Sequence, residues 1–124
     1  MVDRTTELVT AYYDSWKSGI ASYDENLVRG ILAANLEFEG PLAGKRDSAE
    51  AFLPGLAAFV KAVKTVRFVQ QVFAGNQAAV LYDCDLSMPA GTFRFVEFFV
   101  VENDKIQAIK LVFDATEFRK LTPR

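Results

Sequence analysis

The 124-residue sequence contains no histidine and only one cysteine, Cys84. The missing histidine removes His-ligated metal sites, Ser-His-Asp triads and Cys-His pairs. A single cysteine excludes an internal disulfide and makes a cysteine-rich metal site untenable. Without a His partner Cys84 is a poor nucleophile, and it reads as a small buried hydrophobe. Acid–base chemistry is therefore left to Asp, Glu, Tyr, Lys or Cys. No charge sign dominates. Net charge is −2 and the basic residues are scattered, which argues against a nucleic-acid partner. Long apolar runs are missing too. None could span a bilayer, and residues 1–7 carry no apolar signal core. The expectation is a soluble, cytoplasmic chain with no membrane, metal or cofactor.

Apolar residues make up 51% of the chain and 11 residues are Phe, so a packed core rather than disorder is expected. The length suits one domain, residues 1–124, and not two. There is no repeat, linker or low-complexity segment.

Helical period marks residues 5–18, with Leu8, Tyr12 and Trp16 on one stripe, Val9 and Tyr13 beside it, and Gly19 as the stop. Leu27, Val28, Ile31 and Leu32 suggest a short second helix. Leu36 and Phe38 alternate with Glu37 and Glu39 in a short strand over 35–39, broken by Gly40-Pro41-Leu42-Ala43-Gly44. Asp47-Ser-Ala-Glu50 matches a capping box with Asp47 as the cap, opening a third helix with Phe52, Leu56, Phe59, Val60 and Val63 on its apolar face. Pro54 should kink or restart it.

After residue 64 the period becomes two. Strands are expected over 65–73, 77–88, 92–102 and 105–113, then a short helix over 114–121 capped by Asp114. In the second strand Ala78, Val80, Tyr82, Cys84 and Leu86 share a face. In the third, Phe93, Phe95, Glu97, Phe99 and Val101 do. Glu97 thus has aromatic neighbours whichever way that face points. It is either a pocket carboxyl with a raised pKa or an outward charge. Asp83 and Asp85 read as outward or interface charges, and Lys110 as an outer-surface residue. Helices followed by four long consecutive strands mean an α+β fold. Its curved antiparallel sheet would wrap the helices as a cone with an apolar pocket at the open end.

This order resembles the NTF2-like (SnoaL-like) superfamily, the ketosteroid isomerase-related cone fold. The resemblance is carried by Leu8-Val-Thr-Ala-Tyr-Tyr-Asp-Ser-Trp-Lys-Ser-Gly19, Leu36-Glu-Phe-Glu-Gly-Pro-Leu-Ala-Gly44, Phe99-Val-Val-Glu-Asn-Asp-Lys-Ile106 and Val112-Phe-Asp-Ala-Thr-Glu-Phe118. It implies a pocket wall of Tyr12 and Trp16, with Tyr13 in boundary packing. It also implies that the isomerase's helix-one Tyr falls on Tyr12 and its proton-donating acid on Glu97, whereas the base position falls on Gly40. A second branch, similar to limonene epoxide hydrolase, needs an Arg and two Asp in the pocket; here the second-Asp position falls on Leu111 and Tyr82-Asp-Cys-Asp85 lacks the Arg, so that activity is not expected. Tyr12 and Glu97 are therefore the candidate catalytic residues, with a hydrogen bond expected between them.

The side chains expected to bind a ligand are Trp16, Phe38, Phe52, Leu56, Phe59, Val66, Phe68, Val80, Tyr82, Cys84, Phe95, Phe99, Leu111 and Phe113. The implied function is binding of a small apolar molecule, with isomerase, dehydratase or cyclase-type proton transfer. The alternative is a dimerisation or partner-docking module whose cavity is filled by its own side chains. If Glu97 faces inward, Val96, Phe98, Val100 and Val112 form an apolar outer face. The resemblance then implies a homodimer through it, with Arg94, Lys110, Asp83 and Asp85 as its polar component.

Overall fold

The computed structural model describes residues 3–120. The first helix, α1 (Arg4–Asp14), opens on Asp3, whose carboxylate accepts the Thr6 N–H at 2.8 Å. It is shorter than its apolar period. Its last turns loosen after Asp14, so Trp16 sits in a closing turn, with its N–H on the Tyr13 carbonyl. The chain then reverses at Gly19, where φ is +94° and an added Cβ would stand 2.8 Å from the Val63 carbonyl oxygen. Only glycine meets both demands.

A 3₁₀ turn at Ile20–Ser22 leads to α2 (Glu25–Ile31), capped by Asp24 on the Leu27 N–H. Leu32, expected in this helix, instead opens β1 (Leu32–Gly40), which is longer than the 35–39 of the sequence reading. A three-residue strand, β2 (Gly44–Arg46), precedes α3 (Ala49–Ala62). The cap of α3 is Ser48, not Asp47: the Ser48 hydroxyl accepts the Ala51 N–H at 3.0 Å. Both residue types cap well, and one position of register decides between them. The helix runs through Pro54 without a break.

Four long strands follow: β3 (Val63–Ala74), β4 (Gln77–Ser87), β5 (Ala90–Glu102) and β6 (Lys105–Phe113). Asp114 accepts the Thr116 N–H at 3.0 Å just ahead of α4 (Thr116–Arg119). Leu121, the expected end of that helix, lies outside the described residues.

The six strands form one curved, unclosed sheet in the order β2-β1-β6-β5-β4-β3. The expectation of a wholly antiparallel sheet is corrected at one joint. β1 runs parallel to β6, with Phe38 beside Ile109, while every other pair is antiparallel. That joint pairs distant segments, so no local pattern announces it. The helices pack against the inner face: Leu8, Val9, Tyr12 and Tyr13 of α1 and Phe52, Leu53, Leu56 and Val60 of α3 are buried with it. Along β4 burial alternates without exception from Ala78 to Leu86, matching the expected face. The fold is α+β, a cone open at one end. No helix among the described residues is long and apolar enough to cross a membrane.

Candidate functional site

Between α1, α3 and the inner face of the sheet lies a cavity of about 440 Å³, within the range of small-molecule sites. Its floor holds the aromatic side chains Tyr12, Trp16, Phe59, Tyr82 and Phe95. Phe38, Phe52, Leu56, Leu111, Phe113 and Phe118 form the walls. Exposed Leu42 and Met88 stand at its rim. The apolar lining follows from strand and helix period, because the inward positions of β4, β5 and β6 meet the inward stripe of α3.

Among the described residues Glu97 is the one carboxylate in this lining, and it is buried at 3% exposure. The register of β4 and β5 places it opposite Val80, between Phe95 and Phe99 on the inward face. Its expected partner was the Tyr12 hydroxyl. The structure corrects this: Tyr13 donates to Oε1 of Glu97 at 2.6 Å and Tyr82 donates to the same atom at 2.9 Å. Tyr13, read from sequence as boundary packing, is instead buried at the centre of the aromatic cluster, edge-on to Tyr12, Tyr82, Phe68 and Phe99. Tyr12 still lines the cavity and contacts Phe99 edge-on, but its hydroxyl makes no hydrogen bond to Glu97. The Trp16 indole N–H is buried without a hydrogen-bond partner. It lies toward the Tyr12 hydroxyl, where it favours the ionised phenol.

The electrostatics follow from this geometry. Burial pushes the Glu97 carboxyl up to about 7, and the hydroxyls of Tyr13 and Tyr82 only partly offset it by bonding the charged form. Tyr12, Tyr13 and Tyr82 are raised well above the usual phenol range, first by burial and then by the Glu97 charge. They remain neutral donors at physiological pH. With both tyrosines on Oε1, Oε2 has no protein partner, and it is the oxygen left for a molecule in the cavity. A carboxyl poised near neutrality can both give and take a proton.

Of the expected ligand-binding residues, Trp16, Phe38, Phe52, Leu56, Phe59, Tyr82, Phe95, Leu111 and Phe113 line the cavity. Val66, Phe68, Val80, Cys84 and Phe99 do not. Val80, Cys84 and Phe99 share the inward face but are sealed in the core, beneath α1 or beside it. Burial pushes the Cys84 thiol up to about 12, which makes it inert. Val66 and Phe68 belong to β3, the edge strand farthest from β1 and β2. Phe68 is over a third exposed and packs on the outer edge of Tyr13.

The cavity also draws on residues not among the expected ligand-binding side chains: Gly40 at the end of β1, Pro41, Leu42 and Ala43 of the turn after it, Arg46 of β2, and Phe118 of α4. Gly40, where the resemblance puts a catalytic base, faces the cavity beneath the Phe38 ring. A Cβ built there would stand 3.1 Å from that ring. Glu39 is exposed on the other side of β1. Glu97 therefore has no second carboxylate opposite it, and among the described residues no group of three His, Cys, Asp or Glu side chains gathers to hold a metal ion.

On the outer face, Arg94 clasps Asp83 at 2.8 and 3.0 Å, and Arg67 clasps Asp85 at 2.7 and 3.0 Å. Phe98 is 49% exposed and Val112 57%, while Val96 and Val100 are half-buried.

Searched against curated proteins, the sequence finds no match. Solved structures of similar shape are numerous. A protein from Kribbella flavida superposes with a TM-score of 0.82 at 21% identity, covering 92% of this chain and 89% of that one. A candidate SnoaL-like polyketide cyclase from Jannaschia sp. CCS1 gives 0.76 at 11% identity, covering 97% and 94%. TerC, co-crystallised with polyporic acid, gives 0.70 at 16%, covering 96% and 98%. At such identities the likeness shows the fold. The sequence match is more specific: a SnoaL-like domain profile covers residues 9–109, from the buried stripe of α1 through Glu97 to the inward face of β6. The chain therefore belongs to the SnoaL-like domain family, and it shares the fold of NTF2-like proteins.

Proposed function

We propose that this protein binds a small apolar molecule in its cavity and moves a proton on it through one carboxyl, Glu97. The observation that carries this reading is the arrangement of Glu97. Two tyrosines hold Oε1, Oε2 is left toward the cavity, and the carboxyl titrates near 7. Ionised, it removes a proton from carbon adjacent to a ligand carbonyl. Protonated, it returns that proton to a second carbon, to a departing hydroxyl or to an alkoxide formed by ring closure. These are the isomerase, dehydratase and cyclase outcomes. The Tyr12 hydroxyl, not bonded to Glu97, is the donor available to a ligand oxygen. With Gly40 in place of a second base, one carboxyl has to both take and return the proton. Such a site suits substrates with an already acidic C–H.

The family match supports small-molecule chemistry of this kind, as does the likeness to a candidate polyketide cyclase and to a protein co-crystallised with polyporic acid. The size of the cavity favours this reading over a module filled by its own side chains. A homodimer through the outer sheet face completes the proposal, since Phe98 and Val112 are otherwise left in water beside the two Arg–Asp pairs.

The test is hydrogen–deuterium exchange of 2-tetralone, an apolar ketone with an acidic benzylic α-carbon, followed by NMR in heavy water. The protein should accelerate exchange over buffer, and Glu97→Gln should abolish the acceleration while still binding the ketone. Binding with no acceleration by the native protein would remove the proton-transfer role and leave a binding protein.

A further inference from the structure

Among the described residues Arg46 is the only cationic side chain in the cavity lining. Its position is set by strand register. Arg46 pairs directly with Phe38 across β1 and β2, and cross-strand partners share a sheet face. Phe38 is buried in the cavity wall, so Arg46 projects to the cavity side. The neighbouring pair, Glu39 and Lys45, takes the opposite face and is exposed.

The guanidinium is anchored at the mouth. Its Nη1 donates to the Ala43 carbonyl and, at 3.0 Å, to the Lys45 carbonyl. Among the described residues Nη2 and Nε have no acceptor and Arg46 forms no ion pair. Arg67 and Arg94, by contrast, are each matched to an aspartate. The cavity is thus polar at two ends: Glu97 with its tyrosines at the floor, and a half-used guanidinium at the rim among Leu42, Ala43 and Pro41.

We infer that the cavity takes an elongated apolar molecule with one anionic oxygen group, a carboxylate or a comparable acid, seated on Arg46 at the mouth while its uncharged polar end reaches Glu97. The inference rests on the reading of the cavity as a ligand site and names the class of ligand. A carboxylate on Nη2 and Nε replaces water with charge-assisted hydrogen bonds from a pre-positioned planar donor. The reverse orientation would bury the anion beside the Glu97 carboxyl, where its charge is desolvated and repelled.

The test uses three probes of one chain length: 10-hydroxydecanoate, 1,10-decanediol and 10-amino-1-decanol. Binding is measured by calorimetry at about pH 6, where a simple carboxylic acid is ionised. The emission of Trp16, the one tryptophan of the chain and a cavity residue, reports occupancy. The carboxylate should bind on the order of tenfold tighter than the diol, and the amine weakest. Arg46→Met should bring carboxylate and diol within about twofold. Lys45→Met, which removes the same charge from the outer face, should preserve the preference. Equal binding of diol and carboxylate by the native protein, or a preference that survives Arg46→Met, overturns the inference and leaves the ligand reading standing. Failure of all three probes to bind overturns both.

Discussion

Tyr13 holds Glu97 from 84 residues away: its hydroxyl donates to Oε1 at 2.6 Å. The bond stabilises the charged form of the carboxyl and opposes the effect of burial. Tyr13→Phe should therefore raise the Glu97 pKa above about 7, by roughly half a unit to one unit, the differential worth of one hydrogen bond to a carboxylate. Tyr12→Phe, which removes no bond to Glu97, should shift it far less. Carboxyl-carbon NMR titration of the two variants ranks them. A larger shift in Tyr12→Phe would reverse the assignment of the two hydroxyls.

The same carboxyl makes stability depend on pH. Unfolded, Glu97 titrates near 4.5, and folded near 7. Between those values the folded state binds more protons than the unfolded chain, so stability falls as pH rises through the window and levels off above it. The full effect is about 3 kcal/mol for a shift of this size. Asp83 and Asp85 act in the opposite sense, since Arg94 and Arg67 hold them below the usual carboxylate range. Both pairs persist in Glu97→Gln, so they cancel in the difference. Urea unfolding across about pH 4 to 8 should show native stability declining relative to Glu97→Gln as pH rises. A flat difference would mean that Glu97 titrates as an exposed acid.

What the sequence made legible was periodicity. Alternation in β4 named the residues of its buried face, and alternation in β5 grouped Glu97 with Phe95 and Phe99, the face that the fold turns inward. It could not choose between Tyr12 and Tyr13. They are neighbours on one helical stripe, both are buried, and only the position of α1 against β5 decides which hydroxyl reaches the carboxyl. Nor could it show the mouth. β2 is three residues long, without an apolar pattern, and Arg46 gains its meaning only from pairing with Phe38. The overreach at Val66 and Phe68 has a similar cause. Alternation assigns a face but not a distance along the sheet, and β3 is the far edge. Gly40 was visible as a missing base, while the reason the space stays closed, the Phe38 ring over its α-carbon, required the fold.

That ring makes Gly40 a coupled position. A side chain there meets Phe38 at 3.1 and 3.2 Å and Leu111 at 3.6 Å. Gly40→Asp should destabilise the protein by about 1–3 kcal/mol through overpacking beside an apolar ring. Combined with Phe38→Leu, which opens the same space, it should cost at least about 0.5 kcal/mol less than the sum of the two single changes. A double-mutant cycle by urea unfolding measures the coupling. Additive costs would mean that Phe38 swings away freely and does not close the base position.

The outer face offers the last test, because its apolar side chains Phe98 and Val112 are left exposed among the described residues. Phe98 pairs across the strands with Lys110, and Val96 with Val112, so these side chains stand together on the side away from the cavity. Half of Phe98 and more than half of Val112 would be wet in an isolated chain. Two clasped Arg–Asp pairs flank them on β3, β4 and β5, already neutralised and therefore cheap to desolvate compared with single charges. A second copy placed on this face would cover the phenyl ring. Phe98→Glu would then set an unpaired carboxylate at an apolar contact, weakening association on the order of a hundredfold or more. Since the side chain is exposed in the single chain, the fold should survive, with far-UV circular dichroism unchanged. Sedimentation velocity should show a dimer for the native protein and a monomer for the variant. A dimer that persists in Phe98→Glu would move the interface to another surface, and a native monomer would leave this face without a second copy.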